Sequence, residues 1–79
     1  MSAMFESLTE VIVKRFAIDA ETIRPESTFD DLDLDSLAQI ELVTAIKKNL
    51  GLTLSDEEMA DMPNMGAIAA RLEEIGQLV

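Results

Sequence analysis

The segment DDLDLDSLAQIEL, residues 30–42, alternates acidic residues with leucines and then presents a single serine, Ser36. Three kinds of chemistry suit such a segment: a Ca²⁺ loop, a negatively charged lid, or a hydroxyl to which another group is attached. An EF-hand loop starting at Asp31 would need glycine at its sixth position and glutamate at its twelfth, where this chain has Ser36 and Leu42. We therefore predict no specific metal site in this segment.

The chain lacks the side chains of autonomous catalysis. It has no histidine, cysteine, tryptophan or tyrosine, so no Ser–His or Cys–His pair can form, and it has no glycine-rich loop that would bind phosphates. Carboxylates alone can pair as acid and base, but a chain of 79 residues leaves little room for a cleft that separates their pKa values. We predict that the protein is not an enzyme.

Composition limits the compartment and the partners. Sixteen acidic and six basic residues give a net charge of -10, which repels nucleic acids and anionic membrane surfaces and favours basic protein partners. No apolar run approaches the ~20 residues of a membrane span, and Glu6 and Glu10 stand where a secretory signal is positive. We expect a cytoplasmic monomer with one domain over residues 1–79, and the start at Met1 predicts a free-standing protein.

Apolar periodicity predicts helices and no strands. The first helix is followed by a long polar loop whose own apolar residues attach it to the core. The second helix runs from about Ser36 to Leu50, with Asp35 as its N-cap and Gly51 at its end. The apolar residues of the first helix and then of the loop are Phe5, Leu8, Ile12 and Phe16, and Ile18, Ile23, Phe29 and Leu32.

A short acidic helix and a final helix complete the prediction. Ser55 followed by Glu58 is a capping-box pattern, and Pro63 stops that helix by about Met62. Asn64 then caps the final helix. The buried face of the final helix is predicted to be Met65, Ile68, Leu72 and Ile75. The fold class is therefore all-α, a small four-helix bundle with three longer helices, one short third helix and a long loop between helices one and two.

On a helical wheel, one broad arc of the second helix is apolar. Leu37 lies far from the middle of that arc, close to Glu41 and Lys48, so we expect an exposed leucine beside Ser36. The residues of the arc are Ile40, Leu42, Val43, Ile46 and Leu50. Ser36 lies in the first turn, where unpaired N–H groups and the helix dipole favour a phosphate. A serine between a capping acid and an exposed leucine predicts an attachment point with a docking surface around it.

These residues resemble the acyl carrier proteins, whose signature is Asp-Ser-Leu at the start of the second helix of a small acidic four-helix bundle. This chain reads Leu34-Asp35-Ser36-Leu37 and then Ile40-Glu41-Leu42-Val43. Further counterparts along the chain are Thr28-Phe29, Gly51, the opening Ser55-Asp56-Glu57-Glu58 and the closing helix from Asn64. The resemblance covers nearly the whole chain.

The resemblance implies a carrier of acyl or polyketide intermediates. A phosphopantetheinyl transferase would link Ser36 Oγ to 4'-phosphopantetheine from coenzyme A, and the thiol of this arm would hold the cargo as a thioester, so the protein itself needs no cysteine. Acyl-loading and condensing enzymes with basic docking surfaces are the implied partners. The residues that we expect to dock with them are Asp35, Leu37, Glu41, Asp56 and Glu57.

Four positions depart from the members that serve fatty acid synthesis. Those members usually have glycine where this chain has Asp33, an acid where it has Ala38, and acids where it has Lys47 and Lys48. Positive charge at the far end of helix two favours the partners of a specialised pathway over those of housekeeping fatty acid synthesis. Both lysines can equally compensate the helix dipole, so a partner-binding role and a structural role stay open.

Three other interpretations stay open from the sequence. An aminoacyl or peptidyl carrier is one, although peptidyl carriers commonly have glycines and often histidine before the serine, unlike this chain. An acidic protein-interaction module that is never modified is another. Within a carrier, the methionines around the short third helix either fill gaps in the core or line an entry for an acyl chain. These methionines are Met59, Met62 and Met65.

Overall fold

The computed structural model describes residues 3–77, which form helices and no strand. It confirms the all-α fold with three longer helices, a short third helix and a long loop between the first two. The helices are α1 (Ala3–Phe16), α2 (Ser36–Leu50), α3 (Asp56–Asp61) and α4 (Met65–Gln77). A 3-10 turn at Ala20–Thr22, which the sequence did not predict, interrupts the long loop. Within residues 3–77 no helix is long and apolar enough to cross a membrane.

α1 packs one face against α2 and α4. Its buried residues are Phe5, Leu8, Val11 and Ile12. This confirms the predicted face except at Phe16, which is only partly buried. Beyond the helix, the N–H of Ala17 donates to the carbonyl of Val13 at 2.9 Å while Ala17 takes a left-handed backbone with a φ of 56°. That conformation turns the chain away from the axis of α1 and into the loop.

The loop of residues 17–35 is packed onto the core. Its buried apolar residues are Ile23, Phe29, Leu32 and Leu34. Ser27 is also buried, and its hydroxyl accepts a hydrogen bond from Arg24 N at 3.0 Å and donates one to Thr22 O at 3.3 Å. A buried hydroxyl that is bonded in this way avoids most of the desolvation cost. Ile18, a predicted anchor, is only partly buried.

The same loop is hydrogen-bonded to the start of α4. Met65 N donates to Ser27 O at 2.8 Å, and Gly66 N donates to Pro25 O at 2.7 Å. A Cβ on Gly66 would lie 3.0 Å from that proline oxygen, so glycine is what allows the two backbones to approach so closely. The loop therefore has a fixed course over the bundle.

α2 packs against α1 and α3. Its buried residues are Leu42, Ala45 and Ile46. The prediction that Ile40 belongs to the buried arc is wrong, because its exposed fraction is 47%. At about 100° per residue, Ile40 lies about 160° from Leu42 and about 120° from Ile46, outside the side that the other helices cover. Val43 and Leu50 are partly buried and form the edges of the buried side.

The predicted helix ends are confirmed. Gly51, with a left-handed φ of 71°, ends α2. Ser55 Oγ accepts a hydrogen bond from Glu58 N at 3.0 Å, and α3 ends before the proline that follows it. Asn64 Oδ1 accepts from Ala67 N at 2.9 Å at the start of α4. Each cap satisfies one N–H that the helix itself leaves without an acceptor.

The α3–α4 region completes the core. Met59 and Met65 are fully buried and Met62 is partly buried, as expected of side chains that fill the core. On α4 the buried residues are Met65, Ile68, Ala69 and Leu72, and the predicted Ile75 is partly buried. Arg71 Nε lies 3.5 Å from Glu58 Oε2, which adds an ion pair between α4 and α3.

Candidate functional site

Asp35 fixes the start of α2. Its backbone is extended, and its Oδ1 accepts a hydrogen bond from Ala38 N at 2.8 Å, while its carbonyl accepts one from Gln39 N at 3.0 Å. This confirms the predicted N-cap and makes Ser36 the first residue of the helix. Because the aspartate does the capping, the serine side chain is not needed for it.

The hydroxyl of Ser36 is exposed and makes no hydrogen bond within the described part of the chain. The N–H groups of Ser36 and Leu37 lie in the first turn of α2, so the helix itself offers them no acceptor. Within residues 3–77, no loop carbonyl accepts a hydrogen bond from them. At α4 the equivalent N–H groups, those of Met65 and Gly66, are both bonded to the long loop. The start of α2 thus combines a free hydroxyl with free N–H groups, and a phosphate ester on Ser36 suits both.

The acidic segment before the serine has a structural role. Thr28 N donates to Asp31 Oδ2 at 3.0 Å and Asp31 N donates back to Thr28 Oγ1 at 3.1 Å, a reciprocal pair that the sequence analysis missed although its i,i+3 spacing is visible. Leu34 N then donates to Phe29 O at 2.8 Å, and Asp33 has a left-handed φ of 57°. In residues 3–77 no cluster of three or more potential metal ligands is formed.

The side chains predicted to contact partners are exposed to different extents. Leu37 is 65% exposed, which confirms the prediction of a solvent-facing leucine. Glu41 is half-buried, and its Oε2 lies 3.1 Å from Arg15 Nη2 of α1. Asp56 and Glu57 are exposed in the first turn of α3. The negative charge of Glu41 is therefore partly neutralised within the protein, whereas the two acids of α3 face solvent.

Lys47 and Lys48 lie apart from the serine. Both are exposed in the last turn of α2. With a rise of 1.5 Å per residue, they stand roughly 17 Å along the helix from Ser36. They belong to a separate, positively charged end of α2.

An open cleft of about 480 Å³ lies at the start of α2 and is lined by Asp35 and Leu37, the two sequence neighbours of Ser36. Its walls come from the end of α1, the segment before α2 and the first turns of α2. The lining residues include Phe16, Ile18, Leu37 and Glu41. No sequence pattern marks this cleft, because it depends on how three separate segments pack together.

Comparison with known proteins gives the family. The family model described as "Phosphopantetheine attachment site" matches residues 6–72. The chain is 36% identical to an acyl carrier protein of Helicobacter hepaticus over 70 residues, which cover 87% of this chain and 92% of the relative. It is 33% identical to an acyl carrier protein of Helicobacter pylori over 73 residues, or 91% of this chain and 94% of the relative. The chain belongs to the acyl carrier protein family.

A further relative is acyl carrier protein AcpXL of Rhizobium meliloti, with 37% identity over 70 residues that cover 87% of this chain and 74% of the relative. Membership in the acyl carrier protein family implies 4'-phosphopantetheine as the prosthetic group. It also implies interaction with a transferase that attaches the group and with biosynthetic enzymes. Acyl carrier proteins are carriers and not catalysts, in agreement with the composition of this chain.

Proposed function

We propose that this acyl carrier protein holds acyl or polyketide intermediates on a 4'-phosphopantetheine arm attached to Ser36 Oγ. The observation that supports this most is the exposed hydroxyl of Ser36 at the start of α2, which has no hydrogen-bond partner within residues 3–77. The terminal thiol of the arm supplies the chemistry, because it holds the cargo as a thioester. The proposal takes residues 1–79 as one carrier domain that acts as a monomer in the cytoplasm.

The chain's own residues present the hydroxyl and then stabilise its ester. In the transferase reaction, Ser36 Oγ would form a phosphodiester bond to the phosphate of phosphopantetheine while the pyrophosphate bond of coenzyme A breaks. Adenosine 3',5'-bisphosphate would leave, and the hydroxyl proton would pass to a base of the transferase. The N–H groups of Ser36 and Leu37, at the positive end of the helix dipole, then stabilise the phosphate charge. Asp35 keeps these donors in place through its bond to Ala38 N. Leu37, which is mostly exposed, offers an apolar contact to the enzyme that binds beside the serine.

The acidic side chains around the serine are proposed to bind basic surfaces of partner enzymes. Asp35, Leu37 and Glu41 supply the contacts on α2, and Asp56 and Glu57 supply them on α3. The support is the negative charge of the four acids, the apolar side chain of Leu37, and the exposure of all these residues except Glu41. Arg15 forms an ion pair with Glu41 and partly neutralises its charge, so we expect Glu41 to contribute less to docking than Asp56 or Glu57.

The pathway is proposed to be a specialised one and not housekeeping fatty acid synthesis. The support is the exposed pair Lys47 and Lys48, where members that serve fatty acid synthesis usually have acids. Neither lysine forms an ion pair within residues 3–77. A partner that docks along the whole of α2 would therefore meet negative charge near the serine and positive charge at the far end.

The test is the intact mass of the purified protein after incubation with a permissive phosphopantetheinyl transferase and coenzyme A. We expect the mass to increase by one phosphopantetheine on the wild type and by nothing on Ser36→Ala. An unchanged wild-type mass would contradict the proposal and favour an interaction module that is never modified. Loading of the modified protein with acyl but not aminoacyl donors distinguishes an acyl carrier from an aminoacyl or peptidyl carrier.

A further inference from the structure

A second open groove, of about 570 Å³, runs between α1 and α2. It extends along α2 from Ile40 to Asn49, and so leads away from Ser36. The lining residues are Val11, Lys14 and Arg15 of α1, and Ile40, Glu41, Thr44, Ala45, Lys48 and Asn49 of α2. We call it the α1–α2 groove.

The α1–α2 groove is positively charged in a strongly acidic protein. Three of the six basic residues of the chain line the groove, namely Lys14, Arg15 and Lys48. Glu41 is the single acidic residue in its lining. Arg15 is paired with that carboxylate at 3.1 Å. Lys14 and Lys48 are exposed and form no ion pair within residues 3–77, although the chain has sixteen acidic residues. The groove therefore keeps uncompensated positive charge on both of its walls.

The α1–α2 groove also has an apolar side. Val11 and Ala45 are buried at its base, and Ile40 is 47% exposed at its edge. Among residues 3–77, only Leu37 and Ile40 are large hydrophobic side chains that are exposed. Both lie on α2, three residues apart, so they occupy neighbouring positions on its solvent side.

We propose that the α1–α2 groove binds an acidic amphipathic helix of a partner protein. Apolar side chains of such a helix would cover Ile40 and the base of the groove, as in other helix-in-groove interactions. Its carboxylates would lie against Lys14 on one wall and Lys48 on the other, which gives charge complementarity. This contact is opposite in sign to the docking proposed around Ser36, and it does not depend on modification of the serine.

Other occupants are less suited to these features. A bilayer is flat and cannot enter a concave groove, and the net charge of -10 opposes approach to anionic lipids or nucleic acids. A second copy of this chain would need an acidic helix with an exposed apolar ridge. In residues 3–77 the exposed large apolar side chains are those of α2 itself, so a second copy offers no such ridge from another helix.

The test uses a designed peptide as the probe. The peptide is an amphipathic helix with leucines on one face and glutamates on both flanks, and a control peptide has lysine in place of each glutamate. Each is titrated to about 1 mM into ¹⁵N-labelled protein, a range that detects weak complexes. We expect the acidic peptide to shift the amide signals of Val11, Ile40, Thr44 and Lys48, and the basic peptide to leave them in place. No shift at these amides, or equal shifts with both peptides, would overturn the proposal.

Charge-reversal variants provide the second part of the test. Lys48→Glu should weaken binding of the acidic peptide roughly tenfold, because it puts a carboxylate opposite the glutamates of the peptide. Arg24→Glu makes the same change in net charge on an exposed residue outside the groove, and it should have little effect. Equal weakening by both variants would mean that only net charge matters, and it would overturn the groove as the site.

Three further measurements test this inference separately from the proposed function. Lys14→Glu, which reverses the charge on the α1 wall of the groove, should accept the phosphopantetheine arm as the wild type does, because Lys14 lies on α1 and lines no part of the cleft beside Ser36. Analytical ultracentrifugation and flotation with anionic vesicles should find a monomer and no lipid binding. A dimer that Lys48→Glu disrupts, or binding to vesicles, would overturn the proposal in favour of a self-association or lipid surface. Failure of the arm to attach to the wild type would contradict the proposed function and would leave the inference about the α1–α2 groove unchanged.

Discussion

Three described residues, Ala17, Asp33 and Gly51, have a left-handed backbone. Glycine adopts this conformation without strain, and a short polar aspartate tolerates it better than most residues. Glycine would therefore fit the backbone at the position of Asp33 without strain. Alanine has neither advantage, so Ala17 is the residue where strain is stored.

Ala17→Gly should therefore stabilise the protein by about 0.5–1 kcal/mol, because it removes a left-handed Cβ. Ala70→Gly is the matched control, since Ala70 is exposed inside α4 and should lose about 1 kcal/mol from lower helix propensity. Urea unfolding measures both. Destabilisation of similar size in the two variants would contradict the account of Ala17.

Ser27 holds the long loop through its buried hydroxyl. Ser27→Ala should cost about 1–2 kcal/mol of unfolding free energy, because Arg24 N loses its acceptor. Ser7→Ala, in α1, should be close to neutral or slightly stabilising, since alanine is the better helix former. Thermal unfolding followed by circular dichroism compares the two. Equal melting temperatures would show that Arg24 N finds another acceptor.

At the scale of elements, the contact between the long loop and α4 is the most specific in the fold. Gly66→Ala should destabilise the protein by about 1–3 kcal/mol, because the new Cβ would lie 3.0 Å from Pro25 O and 3.2 Å from Pro25 Cβ. Gly76→Ala, in the last turns of the same helix, meets only Met4 Cε at 4.0 Å and should stabilise by about 0.5–1 kcal/mol. Opposite signs in urea unfolding are expected, and stabilisation by both substitutions would contradict the account.

Local sequence signals predicted the helices and their ends. The caps at Asp35, Ser55 and Asn64 and the glycine at Gly51 were predictable because each depends on residues within three positions. The prediction that Ile40 lies on the buried side of α2 was wrong. A helical wheel shows which residues share one side of a helix, but it does not show how much of that side the neighbouring helices cover. Spacing within one helix cannot predict tertiary packing.

The same limit applies to the candidate site. The position of Ser36 at the start of α2 and the exposure of Leu37 were predictable from local spacing. The ion pair of Arg15 with Glu41 and the α1–α2 groove were not, because both join residues that lie far apart in sequence. The close approach of Gly66 to Pro25 was missed for the same reason.

At the scale of the whole molecule, the net charge of -10 is what we propose to govern docking with basic partner surfaces. Raising ionic strength from about 0.1 M to about 1 M shortens the Debye length from about 10 Å to about 3 Å, so transferase kcat/KM should fall several-fold. Asp56→Asn combined with Glu57→Gln should lower kcat/KM at low salt and flatten the salt dependence. A salt-independent kcat/KM in the wild type would contradict electrostatic docking.

The central claim is that Ser36 is the residue that carries the arm. The chain has five serines, and Ser55 is a natural control, since it too is exposed at the start of a helix. Its hydroxyl, unlike that of Ser36, already accepts a hydrogen bond from Glu58 N. Fragmentation mass spectrometry of the modified wild type should find phosphopantetheine on Ser36 and none on Ser55. An arm on Ser55, or on no serine at all, would contradict the account.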